Sequence, residues 1–234
     1  MLITVLIPVY NESAMIIELL RKVKAQEIDG VEFEIIVVDD GSTDNTVQIL
    51  NQHAELYTKI LELTENRGKG AAVKKGLAIA NGDYVLFQDA DLEYDPSDYS
   101  SLIYPILNYS ADVVLGSRLT APQYTRVHYY WHKVGNRFIT FVFNILNNTT
   151  FTDIYSGYLV FRRNLIEPDL LRSEGWEQQA EILSEVVKKG KIFYEVPISY
   201  HGRTYEDGKK IKAYHAIAVL AMIIKCRLFS FPGK

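Results

Sequence analysis

The chain has 234 residues, 48% of them hydrophobic, 23% charged and 12% aromatic, with a net charge of −4. These values fit one globular domain and exclude a disordered, fibrous or dedicated nucleic-acid-binding chain. Cys226 is the only cysteine, which excludes an intrachain disulfide and a cysteine-rich zinc site and points to a reducing compartment.

Leu2 to Val9 is apolar but contains Pro8 and has no basic segment before it, so it reads as a first strand and not as a signal sequence. Ile16, Leu19, Leu20 and Val23 follow at helical spacing, with Asn11 or Ser13 as the expected cap. A second strand, Phe33 to Val38, breaks at Asp39-Asp40-Gly41-Ser42, and a helix carrying Val47, Ile49 and Leu50 comes next. Ile60 to Leu63 reads as a third strand. Asn66-Arg67-Gly68-Lys69-Gly70 then opens a helix through Ala71, Ala72, Val73, Leu77 and Ala80. Tyr84 to Phe87 forms a strand that runs into Gln88-Asp89-Ala90-Asp91, and a helix is expected after Pro96. Asp112 to Leu115 is a further strand, ending at Gly116-Ser117-Arg118. Strands alternating with helices predict an α/β fold with a mostly parallel central sheet flanked by helices.

The second half has a different texture. The stretch 120–148 is rich in Tyr, Trp, His and Phe, with helix expected from Trp131 to Leu146. A strand over Tyr158 to Phe161, a helix over Ala180 to Lys188 and a strand over Lys191 to Val196 precede the polar segment 201–210 and a last helix over Tyr214 to Phe231. Its longest apolar run, Ala216 to Ile224, is well short of the roughly 20 residues that span a bilayer.

Polar clusters coincide with strand ends at Tyr10, Asp39, Asp89 and Arg118, the layout of an open sheet with its site along one edge. Asp89, Asp91 and Glu93 offer three carboxylates beside a strand terminus, a set suited to Mg²⁺ or Mn²⁺ bridging phosphates; an exposed acidic turn is the competing reading. Asp39 or Asp40 can accept hydrogen bonds from a ribose or base, or can simply close an Asx turn. Arg67, Lys69 and two glycines stand at a helix start, where free amides attract anions, but the spacing is neither that of a Walker A loop nor G-x-G-x-x-G. Arg118, Arg126, Arg137, Arg203, Lys209 and Lys210 are candidate phosphate partners, and Glu181 is a candidate base or acceptor-orienting group.

Read together, these segments resemble glycosyltransferase family 2, of GT-A type, and most closely its dolichol-phosphate mannose synthase-like branch. The residues that carry the resemblance are Ile7-Pro8-Val9-Tyr10-Asn11-Glu12, Val37-Val38-Asp39-Asp40-Gly41-Ser42, Asn66 to Gly70, Asp89-Ala90-Asp91, Gly116-Ser117-Arg118, Asp153 with Ser156-Gly157-Tyr158, Gln179 with Glu181, and Gly202-Arg203-Thr204. The resemblance implies a nucleotide-diphosphate sugar donor bound by Pro8, Tyr10, Glu12, Asp39, Asp40, Lys69 and Ala90. It implies Mg²⁺ or Mn²⁺ on Asp89 and Asp91, with Glu93 as a third ligand, and Arg203 with Lys209 on the donor phosphates. Arg118 would face the acceptor.

A phosphate acceptor is already an anion and needs no strong base, whereas a sugar hydroxyl does; the segment 175–185 has no Thr-Glu-Asp or similar acid pair. The expected activity is therefore inverting transfer of a hexose, from a donor of GDP-mannose or UDP-glucose type, to a polyprenyl (dolichyl or undecaprenyl) phosphate. Transfer to a glycan hydroxyl and a non-catalytic nucleotide-sugar binding module are the alternatives. One catalytic domain is expected, with residues 1–118 as the donor half, 119–210 as the acceptor half and 211–234 as a C-terminal helix able to lie on a membrane surface. The expected location is cytoplasmic, at the membrane face, and a homo-oligomer is allowed.

Overall fold

A computed structural model describes residues 1–120, 130–202 and 215–228. Strands β1 (Leu2–Val9), β2 (Glu32–Asp39), β3 (Lys59–Glu62), β4 (Tyr84–Phe87), β5 (Val113–Ser117), β6 (Leu159–Arg162) and β7 (Phe193–Pro197) form one sheet in the order β3-β2-β1-β4-β6-β5-β7. Only β6 is reversed: it pairs antiparallel with β4 and β5, and every other pairing is parallel. The C-terminal ends of all the other strands therefore share one edge, and β6 starts from that edge.

Alternation along each strand sends successive side chains to opposite faces. Leu6, Ile36, Val38, Val85 and Phe161 lie in one buried layer, and Ile3, Val5, Ile7, Val37 and Leu86 in the other. The first layer is covered by α3 (Lys69–Ile79), α5 (Tyr130–Asn147), α6 (Gln178–Lys189) and α7 (His215–Leu228). The second is covered by α1 (Ile16–Lys24), α2 (Thr46–Gln52) and α4 (Tyr99–Tyr109). Covering both faces explains why the strands read as continuous apolar runs. β2 leads outward from β1 on one side and β4 lies on the other, so the crevice beyond β1 and β4 is the switch point where α/β sheets bind ligands.

One expectation changes, and two features are added that the sequence does not signal. Neither Asn11 nor Ser13 caps α1: the cap position is Met15, without a side-chain bond. Asn11 instead turns to the loop after β2, where its Oδ1 accepts from Thr43 N at 2.8 Å and from Asp44 N at 3.3 Å. α4 is preceded by a short 3₁₀ turn at Pro96–Asp98, because Asp95 accepts from Ser97 N at 2.9 Å and starts the turn early. The reversal of β6 carries no sequence pattern, and it interleaves a late strand between β4 and β5, so the sheet does not divide where the sequence changes texture.

At the opposite edge, a buried carboxylate ties the first strands together. Glu34 accepts from Lys59 Nζ at 2.8 Å, Thr4 Oγ1 at 2.6 Å, Asn81 N at 2.8 Å and Asn81 Nδ2 at 2.7 Å. Burial pushes its pKa up, but the bonds from Lys59, Thr4 and Asn81 outweigh burial and bring it down from 4.5 to about 2. A depressed carboxylate stabilises the fold above its unfolded value and loses that contribution as pH falls through the folded value. Urea titrations should show stability falling between pH 4.5 and about 2. Glu34→Gln should flatten that acid limb and lower stability at pH 7 by on the order of 3 kcal/mol; an unchanged limb would exclude Glu34 as its source.

Candidate active site

The edge at the strand C-termini collects the polar residues. Pro8, Tyr10 and Glu12 stand half-buried at and beyond the end of β1. At the end of β2, Asp39 is buried, and its Oδ2 accepts from Ser42 N at 2.9 Å. Its Oδ1 is buried with no hydrogen-bond partner among the described residues. Such an orphaned acceptor costs about 1–3 kcal/mol until a donor reaches it. Asp40 differs: both its oxygens are engaged, from Arg67 N at 3.0 Å and Gly68 N at 2.8 Å, so it latches the glycine loop and presents no free oxygen to a ligand.

That loop also differs from the expected anion cradle. Gly68 has φ +98°, and a Cβ there would stand 2.5 Å from Glu174 O; one at Gly70 would stand 2.6 Å from Ser173 O. The glycines allow the start of α3 to press against the 173–174 backbone, and Gly70 N donates to Glu174 O at 2.9 Å. The amides of Arg67, Gly68 and Gly70 are thus occupied within the fold. The Lys69 side chain is what this loop offers: its ammonium pairs with Asp89.

Beyond β4, Gln88 is buried and its Oε1 accepts from the hydroxyls of Tyr99 and Tyr158, each at 2.8 Å, which fixes the strand end from which Asp89 projects. Ala90 is buried and Asp91 half-buried, with Asp91 Oδ1 accepting from Glu93 N at 3.2 Å. Glu93 turns to Tyr200, from whose Oη its Oε2 accepts at 2.6 Å. Among the described residues no group of three or more His, Cys, Asp or Glu is placed to hold a metal. Asp89 and Asp91 remain as a pair of hard oxygen donors, a set that fits Mg²⁺ or Mn²⁺ when phosphate and water supply the other ligands. Glu93, held by Tyr200, is not part of that set.

After β5, Arg118 enters a buried ion pair. Its Nε and one terminal nitrogen donate to Asp153 Oδ2 and Oδ1 at 2.7 and 2.8 Å, and its backbone N donates to Oδ2 at 3.1 Å. Asn136 of α5 adds a bond to Asp153 Oδ1 at 2.7 Å. Burial would raise the Asp153 carboxyl, but Arg118 first and Asn136 after it hold it below the usual carboxylate range. The guanidinium also lies over the Tyr200 ring, 5.0 Å from its centroid. Tyr200 therefore touches both the acceptor-side arginine and the carboxylate segment after β4. Tyr94 packs on it at 5.1 Å, and Tyr94 Oη accepts from Gly157 N at 2.8 Å.

Glu181 lies away from this chain of contacts. It is buried in α6, and its oxygens accept from Arg172 N at 3.0 Å and Ser173 N at 2.9 Å, which makes it a brace for the 172–173 loop in place of a base. Gln179, two residues earlier in α6, donates to Ser156 O. Arg126, Arg203, Lys209 and Lys210 lie outside the described residues, and Arg137 is exposed on α5. Asp153 and Tyr200 carry the site's internal wiring; Asp153 stands in a segment that carries the family resemblance, but its pairing with Arg118 and that of Tyr200 with Glu93 have no local signal, because the partners are 35 and 107 residues away.

Residues 4–168 match Glycosyl transferase family 2. The chain belongs to that family. It is 32% identical over 217 residues to the UDP-N-acetylglucosamine–dolichyl-phosphate N-acetylglucosaminyltransferase of Methanococcus voltae, covering 84% of each chain. It is 32% identical to the dolichyl-phosphate beta-glucosyltransferase of Saccharomyces cerevisiae, over 89% of this chain and 69% of the relative. With the dolichol-phosphate mannosyltransferase of Pyrococcus furiosus it shares 30% identity, over 92% of this chain and 62% of the relative. The glucosyl-3-phosphoglycerate synthase of Mycobacterium tuberculosis, solved with Mn²⁺, UDP and glucosyl-3-phosphoglycerate, superposes with a TM-score of 0.69 at 19% identity, over 99% of this chain and 81% of that one. The fold is thus GT-A, and the protein is a glycosyltransferase of the dolichol-phosphate mannose synthase-like branch.

Removing one member of the buried pair leaves an uncompensated charge. Asp153→Ala should lower the unfolding free energy by on the order of 3–5 kcal/mol in urea titration. Tyr200→Phe, which removes the hydroxyl that bonds Glu93, should cost about 1 kcal/mol. Equal losses in the two variants would show that Arg118 does not depend on Asp153.

Proposed function

We propose that this protein transfers a hexose from a nucleotide-diphosphate sugar, of GDP-mannose or UDP-glucose type, to a polyprenyl phosphate, with inversion at the anomeric carbon. The observation that carries this reading is the engagement of the acceptor-side carboxylates. Asp153 is held by Arg118 and Asn136, Glu195 accepts from Thr152 N at 2.8 Å, Glu93 from Tyr200, and Glu181 from the 172–173 backbone. A hydroxyl acceptor would need one of them as a base, while a phosphate acceptor arrives already ionised. Three relatives at 30–32% identity are named for dolichyl or dolichol phosphate, which supports the same acceptor class.

In this reading the nucleoside lies in the crevice beyond β1 and β2, beside Pro8, Tyr10 and Glu12, where a donor N–H or O–H meets the orphaned Oδ1 of Asp39. Asp89 and Asp91 would hold Mg²⁺ or Mn²⁺, which supplies positive charge against the diphosphate. Lys69 adds a cation at the same place, and Arg203 and Lys209 are assigned to the donor phosphates by their sequence positions. A phosphate oxygen of the acceptor, oriented by Arg118, forms the new C–O bond as the bond to the nucleotide diphosphate breaks from the opposite face. Among the described residues no helix is long and apolar enough to cross a membrane. A lipid-linked acceptor then calls for peripheral contact, at the cytoplasmic membrane face.

Incubation with a labelled nucleotide sugar, Mn²⁺ and a polyprenyl phosphate should give a chloroform-extractable product. Asp91→Ala should reduce its rate by about a hundred-fold or more. Asp39→Asn should weaken donor binding, read as a smaller donor-induced rise in melting temperature. Strict dependence on a glycan hydroxyl would replace the acceptor assignment, and full activity of Asp91→Ala would remove the metal assignment.

A further inference from the structure

We propose that Tyr94 is a positioning residue that sets the separation between the donor carboxylate Asp89 and the acceptor arginine Arg118. This rests on the reading of Arg118 as the group that orients an acceptor phosphate, and adds to it what fixes that arginine relative to the donor. Tyr94 is buried, and its ring is held from three sides. On the donor side its Oη accepts from Gly157 N at 2.8 Å. A Cβ at Gly157 would stand 2.8 Å from both Asp89 Oδ2 and Tyr94 Cε2, so the carboxylate oxygen and the ring edge meet in the space that a side chain would fill. On the acceptor side the Tyr94 ring lies 5.1 Å from that of Tyr200, and Tyr200 carries the Arg118 guanidinium 5.0 Å from its own centroid. Behind both, Tyr158 packs on Tyr94 at 4.9 Å and is itself fixed by its bond to Gln88 Oε1.

The backbone keeps this stack in register. Tyr94 and Tyr200 form an antiparallel bridge, and His201 N donates to Glu93 O at 2.8 Å. Asp89, Tyr94, Tyr200 and Arg118 therefore follow one another from the donor side to the acceptor side, with two close-packed rings between the two charged ends. Transfer between two bound anions requires the reacting atoms to be about 3–3.5 Å apart, and a misplacement of about 1 Å costs roughly a hundred-fold in rate. Donor diphosphate and acceptor phosphate are each bound at one end of the stack, so the rings govern how far apart the two stand and not how tightly either is held. Tyr94 is itself too buried to meet a substrate, and it acts through Asp89 and Arg118.

The test compares Tyr94→Leu, which removes the ring, with Tyr94→Phe, which keeps the ring and loses the bond to Gly157 N, using the full chain, Mn²⁺, GDP-mannose or UDP-glucose, and farnesyl phosphate. Tyr94→Leu should lower kcat by about a hundred-fold with both KM values within about two-fold of the parent. Tyr94→Phe should lower the melting temperature, because a buried amide loses its acceptor, yet keep kcat within about three-fold. A second readout needs no turnover: Mn²⁺ broadens the phosphorus resonance of bound farnesyl phosphate steeply with proximity, and at equal occupancy the broadening should be weaker in Tyr94→Leu than in the parent and unchanged in Tyr94→Phe. Where Tyr94→Leu does not fold, Tyr200→Leu, which shortens the half-buried end of the stack, should show the same loss of kcat and of broadening. Parent kcat in the leucine variant overturns the proposal. So does a loss of kcat matched by equal rises in both KM values, which would mean a generally loosened site, and so do equal losses in the leucine and phenylalanine variants, which would assign the effect to the hydroxyl. Parent turnover of farnesyl phosphate tests the acceptor reading by itself: its absence overturns that reading, whereas parent turnover with an unaffected Tyr94→Leu overturns the spacing role alone.

Discussion

The buried pair of Arg118 and Asp153 is the interaction on which the site depends. Taking both charges out of water is unfavourable, and the pair persists because its geometry is bidentate and because Asn136 and the Arg118 amide satisfy the remaining lone pairs. In doing so it joins four parts of the chain: the end of β5, the loop that enters β6, helix α5, and Tyr200 beyond β7. Because Tyr200 also bonds Glu93, one ring links the acceptor side to the segment that bears Asp89 and Asp91.

The donor side follows a different rule. Its backbone donors are mostly used up by the protein itself: Asp40 takes the amides of Arg67 and Gly68, and Glu174 takes that of Gly70. What is left for a ligand is side-chain chemistry. Asp39 keeps one buried oxygen without a donor among the described residues, Lys69 and Asp89 neutralise each other, and Asp91 follows two residues on in the chain. A glycine-rich loop in this fold therefore serves close packing first, since a Cβ at Gly68 or Gly70 would strike the 173–174 backbone. That packing holds Lys69 against Asp89, where a diphosphate and its metal are expected.

Helix α5 has two unlike faces. Inward, Ile139, Phe143 and Asn136 join it to the core and to the ion pair. Outward, Phe138, Phe141, Ile145, Lys133 and Arg137 are exposed.

Strand and helix periodicity placed nearly all the elements, and the polar clusters at Tyr10, Asp39, Asp89 and Arg118 do lie at one sheet edge, because parallel strands separated by helices must point the same way. Their ordered motifs also marked the family, since most of them follow a strand end and strand ends are legible in hydrophobic pattern. The sequence alone could not assign the roles of Glu93, Asp40 and Glu181. Each is an acidic residue in a plausible place, and only the fold decided that Glu93 meets Tyr200, that Asp40 holds a loop, and that Glu181 braces residues 172 and 173. The sequence determined which elements form and where their charged ends gather, through local periodicity. Tertiary structure decided the reversal of β6, the Arg118–Asp153 pair and the open face of α5, because those depend on contacts between residues far apart in the chain.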